Sequence, residues 1–237
     1  MSLFGGRPQK AAYRILPVGD AAVSVEFGRE ISEEINGHVM QLMKALTDAA
    51  VPAVTEMVPT FRSLLVCYDP LRLSYARLCR KIRHAAAAAS GGTEREGKIF
   101  EMPVCYEGEF APDLENVASH AGLPPEEVIR RHAGRDYLIY MLGFLPGFPY
   151  LGGMDPALET PRLSTPRVKI PAGSVGIGGS QTGVYPVESP GGWQIIGRTP
   201  LVLYDPDREQ PIPYRTGDRI RFCPVSRAEY DRLGGGR

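Results

Sequence analysis

Between Gly143 and Gly197 the chain places 12 of its 27 glycines and 8 of its 22 prolines, with only six charged residues among them. The stretch reads GFLPGFPYLGGMDPALETPRLSTPRVKIPAGSVGIGGSQTGVYPVESPGGWQIIG. Proline fixes φ and removes a backbone donor, and glycine opens dihedral angles closed to other residues. A segment so punctuated cannot form a long helix or an uninterrupted sheet. Short strands, tight turns and a shaped surface are what remain, and the function is expected on that surface.

The surrounding pattern agrees. From Asp136 onward the β-prone runs are short: Tyr137 to Leu142, Val168 to Ile170, Val175 to Ile177, Gln194 to Ile196, Leu201 to Tyr204 and Arg219 to Phe222. Many short strands with Gly and Pro turns predict a barrel or a sandwich. A strand over Lys98 to Tyr106 precedes them, followed by helices over Leu114 to Ala121 and Glu126 to His132, whose starts are marked by Asp113 and Pro124-Pro125. The first part of the chain has another rhythm. Strands over Tyr13 to Pro17 and Ala21 to Phe27 flank Gly19-Asp20, and a helix capped by Ser32 repeats Ile35, Val39, Leu42, Met43 and Leu46. Strands over Val54 to Val58 and Ser63 to Tyr68 and a helix from Ser74 complete an α+β sandwich, for which a ferredoxin-like layout is one candidate. The polar run Ser90 to Gly97 reads as a linker, giving domains over 1–96 and 97–237.

With 27 basic and 27 acidic residues, the chain has no overall basic excess to favour nucleic acid or an anionic membrane. No run reaches the roughly 18 to 20 apolar residues of a spanning helix, and MSLFGGRPQK lacks the apolar core of a signal peptide. A cytoplasmic location is the expectation. Cys67, Cys79, Cys105 and Cys223 show neither CxxC pairing nor a histidine at metal-site spacing, so free thiols and no metal are expected.

No acidic residue lies between Thr160 and Val187, whereas Arg162, Arg167 and Lys169 do, and Arg198 follows. Cations without local carboxylates, beside backbone N–H groups left open by glycine, suit a carboxylate or phosphate. The alternative is a solvated rim on which these cations pair with Asp155, Glu159 or Glu188. Neither nucleotide template fits the run Gly173 to Gly183, since GxGxxG requires glycine at Gln181 and no Walker sequence occurs, so the run reads as a turn-rich β-hairpin. Neither Ser180 nor Ser189 lies in a GxSxG elbow. His38, His84, His120 and His132 fall on predicted helices and are read as surface or capping residues, with His132 near enough to a helix end to approach the site. Phe144, Phe148, Tyr150 and Trp193 crowd among glycines too closely for all to point inward, which marks a groove or partner surface.

Four motifs, GFLPGFPYLGG (143–153), TPRLSTPR (160–167), PAGSVGIGGSQTGVYP (171–186) and SPGGWQIIGRTP (189–200), closely resemble the family of 5-oxoprolinase B subunits, with VCYEGEFAPDLE (104–115) fitting upstream. The family is also called allophanate hydrolase subunit 1 and includes the KipI-type inhibitor of a sporulation histidine kinase. The resemblance implies a small α+β domain followed by a mainly-β, cyclophilin-like barrel. It implies one component of an ATP-dependent hydrolase that converts 5-oxoproline to glutamate together with the A and C subunits, and that is inactive alone. Within those motifs Arg162, Arg167, Lys169 and Arg198 become candidates to hold the anionic groups, and Gln181 and Tyr185 to orient the lactam. The alternatives within the same resemblance are inhibition of a histidine kinase partner and a part in urea or allophanate metabolism.

Overall fold

The computed structural model describes residues 12–89 and 97–235, and the chain divides into two compact units, Met1–Arg95 and Glu96–Arg237. Of the linker expected at Ser90 to Gly97, residues 90–96 lie outside the described residues.

In the first unit β1 (Arg14–Val18) and β2 (Ala22–Glu26) form a hairpin that turns through Gly19 at φ +59°. Helix α1 (Glu33–Asp48) starts at Ser32, whose hydroxyl accepts the Ile35 N–H at 3.2 Å, while Glu33 and Glu34 sit where the helix dipole favours negative charge. Strands β3 (Val54–Pro59) and β4 (Ser63–Tyr68) form a second hairpin before helix α2 (Tyr75–Ala88). Ser74 occupies the cap position of α2, but its side chain makes no bond to the helix backbone. The sheet order is β1-β2-β4-β3, antiparallel throughout. Moving β1 from the front of this strand-strand-helix-strand-strand-helix order to its end yields the ferredoxin-like order, so the layout is that motif circularly permuted. Alternate residues of the central strands, Val23, Val25, Leu64 and Val66, are buried with Val39 and Leu42 of α1 and Leu78 and Ile82 of α2.

The second unit begins with β5 (Ile99–Val104), α3 (Leu114–Ala121), α4 (Pro125–Ala133) and β6 (Asp136–Leu142). It continues through β7 (Pro149–Gly152), β8 (Arg167–Ile170), β9 (Ser174–Gly178), β10 (Gln181–Val184), β11 (Ser189–Gly191), β12 (Gln194–Arg198) and β13 (Arg219–Pro224) to the short helical turn α5 (Arg227–Tyr230), which a further turn over Asp231–Gly235 follows. Seven of the strands make one sheet in the order β12-β9-β10-β7-β6-β13-β5. At its two edges Cys105 and Arg198 exchange backbone hydrogen bonds of 2.9 Å, which closes the sheet into a barrel and leaves β8 and β11 as a separate ribbon. The barrel core gathers Val104, Tyr137, Ile139, Leu151, Val175, Ile177, Val184, Ile196 and Phe222, and α3 and α4 add Val117 and Val128 to it.

Two strand expectations change. Leu201 to Tyr204 forms no strand, although Leu203 is buried. Pro200 and Pro206 bracket the segment and withdraw ladder donors at its ends, so its side chains pack while it joins no strand ladder. Conversely β7 and β11 form from sequences that begin with, or consist largely of, Pro, Gly and polar residues. The β9–β10 turn is Gly179-Ser180, with Gly179 at φ +64°, a glycine-first hairpin turn.

Candidate functional site

Strand alternation gives β9 and β10 two unlike faces. Val175, Ile177 and Val184 point into the barrel core, so Gly176, Gly178, Gln181 and Gly183 lie on the opposite, outer face. That face is covered by an aromatic cluster of Phe148, Tyr185 and Trp193 with Ile170 and Ile195. Their rings meet edge to face, with centroids 5.2 Å apart for Phe148–Tyr185, 5.5 Å for Phe148–Trp193 and 6.4 Å for Tyr185–Trp193. The glycines make the room. A Cβ on Gly178 would stand 2.5 Å from the indole Nε1 of Trp193, and one on Gly183 would stand 3.1 Å from both Trp193 and Phe148. The backbone expected to lie open to an anion is therefore filled by an indole.

Phe148, Tyr185 and Trp193 are 2%, 2% and 5% exposed, so they form the foundation of the surface and do not line an open groove. Burial pushes the Tyr185 hydroxyl up to about 12, which keeps it a neutral group at physiological pH. Tyr150 is half-buried against Phe148. Phe144 alone of the four expected surface aromatics stands out, 62% exposed, at the tip of a loop over 143–148. Gly143 N–H donates to the Phe148 carbonyl at 3.1 Å, Phe148 N–H donates to the Leu145 carbonyl at 3.0 Å, and the buried Tyr214 hydroxyl donates to the Gly147 carbonyl at 2.8 Å.

The four candidate cations do not converge. Arg167 forms a two-bond pair with Asp113, at 2.9 and 2.6 Å, and the same carboxylate accepts the Ile195 N–H at 2.6 Å. This pair clamps the start of α3 to β8 and β12 on either side of Trp193, so Arg167 is a structural cation and not a free anion site. Asp113 makes no cap bond to α3, the role its position suggests; its oxygens are spent on the clamp. Lys169 pairs with Glu188 at 2.8 Å on exposed surface, the rim arrangement. Arg198 lies at the far end of β12, its Nε donating to the Ala172 carbonyl at 2.9 Å and its guanidinium 5.8 Å above the Phe110 ring. That leaves Arg162, which is exposed, has its guanidinium 5.8 Å from the Trp193 ring centroid, and makes no ion pair among the described residues. Gln181 shares the outer face, half-buried at the hairpin end.

His132, expected at the surface or in a cap, is wholly buried. Its Nδ1 lies 2.9 Å from the Tyr106 hydroxyl and its Nε2 2.8 Å from Thr182 Oγ1, while Thr182 donates to the Gly176 carbonyl at 3.0 Å. Because the Thr182 proton is used on Gly176, Thr182 accepts from Nε2–H, and Tyr106 donates to Nδ1. One neutral tautomer satisfies the whole chain. The ring stacks on Phe222 with centroids 4.5 Å apart, and burial pulls its pKa down to about 3. The amphipathic pattern of α4 carries no sign of this, because Thr182, 50 residues away, supplies the partner.

The arrangement thus offers an exposed aromatic knob, an unpaired guanidinium on an aromatic bed and a half-buried amide, held by a rigid clamp. It suits recognition of an anionic or protein partner better than nucleophilic attack. Residues 13–214 match the family model described as carboxyltransferase domain, subdomain C and D. The chain is 45% identical to the B subunit of 5-oxoprolinase from Bacillus subtilis (strain 168) over 228 residues, 92% of this chain and 95% of that protein. It is 42% identical to the B subunit of 5-oxoprolinase from Escherichia coli O157:H7 over 208 residues, 87% and 94% of the two. Among solved structures, TTHA0988 matches with a TM-score of 0.76 at 40% identity over 86% of this chain, which spans only 40% of that longer chain.

Proposed function

The chain belongs to the family of 5-oxoprolinase B subunits, built on the carboxyltransferase subdomain C and D fold, and we propose that it is one component of an ATP-dependent 5-oxoprolinase that converts 5-oxo-L-proline to L-glutamate. The observation that carries this reading is the match along nearly the full length of relatives bearing that name. 5-Oxoproline has a carboxylate and an unreactive lactam, and phosphorylating the lactam oxygen at the expense of ATP adds a second anion and a leaving group. Of the four candidate cations, Arg162 alone carries no counter-charge and hydrogen-bonds no carbonyl among the described residues, so it is the one left to meet an anionic group that the assembly brings. Gln181 offers an amide donor and acceptor for the lactam on the same face.

The glycine-rich hairpin is not a cradle for the phosphates of ATP. The outer-face glycines of β9 and β10 are occupied by Trp193, and the β9–β10 turn matches no phosphate loop. Nucleotide handling and the final ring opening therefore fall to the assembly with the A and C subunits, and this chain by itself is inactive. The test is ATP-dependent glutamate release from 5-oxoproline by the reconstituted subunits, repeated with this chain left out. Release that persists undiminished without it overturns the reading.

A further inference from the structure

We propose that Phe144 is the anchoring knob of the subunit interface: the 143–148 loop inserts its ring into an apolar pocket of the partner subunit, whose rim carries a carboxylate for Arg162. The inference rests on the reading of this chain as a component of 5-oxoprolinase. Its first support is the contrast in burial. The three rings beneath Phe144 are almost fully enclosed, while Phe144 touches only the edges of two of them, with centroids 5.6 Å from Phe148 and 6.5 Å from Tyr185, and leaves most of its own surface outside. The cluster is closed without it, so the ring is placed for something beyond the chain.

The second support is the backbone. Phe144 sits at φ +67°, in the left-handed region that a bulky side chain avoids and glycine takes freely. Gly147, three residues on, adopts φ +81° in the same loop and is glycine. A phenyl held at the strained position of a loop whose neighbouring strained position is glycine points to a use for the phenyl. The loop is also fixed before any partner arrives, by the Gly143–Phe148 and Phe148–Leu145 backbone bonds and the buried Tyr214 hydroxyl on Gly147. Little ordering entropy is then lost on binding.

The third support concerns the occupant. Arg162 rests on the same aromatic cluster, is exposed and has no carboxylate partner among the described residues, so the complementary surface is apolar at its centre and acidic at its edge. TTHA0988 carries well over half its length beyond the region it shares with this chain, and a subunit equivalent to that additional polypeptide is the occupant proposed for the knob.

The test uses Phe144→Gly in the full chain, since glycine removes the ring and relaxes the backbone together. The expected result is a melting temperature equal to or above that of the unaltered protein, with association to the purified partner subunits weakened by at least about tenfold in calorimetry or sedimentation. Phe144→Tyr should restore association, and Arg162→Glu should weaken it with a reduced salt dependence. At saturating partner concentration the Phe144→Gly assembly should release glutamate at the unaltered rate. Association of Phe144→Gly at full strength overturns the proposal. So does a fall in melting temperature comparable to that caused by removing Trp193, which would make the ring a packing element. A rate that saturating partner fails to restore assigns Phe144 to the chemistry and removes the interface role. If the unaltered subunits bind one another but release no glutamate, the parent reading falls while the association measurements still decide this one.

Discussion

The two faces of the β9–β10 hairpin are built from the same few residues yet do opposite work. Inward, Val175, Ile177 and Val184 fill the barrel, and Thr182 completes the Tyr106–His132–Thr182–Gly176 chain of hydrogen bonds. Outward, Gly176, Gly178 and Gly183 carry no side chain, and the space they leave is taken by Trp193 and Phe148 from other parts of the chain. The inner face is specified by what its residues are; the outer face, by what they lack. A run of alternating glycines in a strand can therefore signal a large ring laid flat on the sheet as readily as a ligand brought close to the backbone.

That contrast breaks most visibly if the ring itself is removed. Trp193→Ala should cost about 3–5 kcal/mol in urea unfolding, because the outer face then exposes bare glycine strands and a cavity. A cost of only a few tenths would show that the indole is not what holds this face. Asp113→Ala should come next, at roughly 3 kcal/mol. It strips the partly buried Arg167 of its counter-charge and the Ile195 N–H of its acceptor while leaving every outer-face glycine in place. Gly178→Ala should cost about 1–3 kcal/mol by pressing a methyl on the indole, whereas Gly192→Ala, whose Cβ would meet its neighbours at 3.6 Å, should be close to neutral. Equal effects for the two would remove the argument that glycine is there for space.

The inner face is tested by pH. His132 has its pKa drawn down by burial to about 3, so between that value and about 6.5 the unfolded chain binds a proton that the native state does not. Its contribution is complete above about pH 6.5 and is lost as the pH falls, at a slope approaching about 1.4 kcal/mol per pH unit, until about pH 3. Between about pH 6.5 and 5 this should dominate. Glu127, drawn down to about 2 by Arg130 and Arg131, loses its contribution only as the pH falls through the carboxylate range. In His132→Phe, unfolding free energies measured across that window should flatten relative to the unaltered protein, whatever the absolute stability. An unchanged slope would mean that the ring is protonated in the native state. The smallest effect on stability is expected at Phe144, whose replacement by glycine should leave the melting temperature unchanged or raise it.

Much of the fold is readable from the chain wherever a local signal is strong. Ser32 and the apolar repeat of α1, the two hairpins of the first unit, and the strands at Tyr137, Val168, Val175, Gln194 and Arg219 all follow from capping and periodicity. The strands β7 and β11 are hidden, because their residues have low strand propensity and are held by pairing and burial. The site is legible as a location but not as a set of roles. Arg162, Arg167, Lys169 and Arg198 look alike in a stretch without acids, yet the acid that claims Arg167 lies 54 positions upstream, and Arg198 is carried to the opposite end of its strand.

Periodicity, dihedral freedom and residue order act locally along a chain. Here they suffice to separate two units of different character, to make the second a turn-rich β structure and, through its motifs, to place the chain in its family. They do not reach the outcomes that depend on distant partners: the glycines that seat Trp193, the carboxylate of Asp113 that consumes Arg167, the neutral core role of His132, and Phe144 left standing in solvent. Each of these is set when closure of the barrel brings together groups tens of residues apart. Burial and charge pairing take their value from the group that arrives, so an isolated residue carries no record of them.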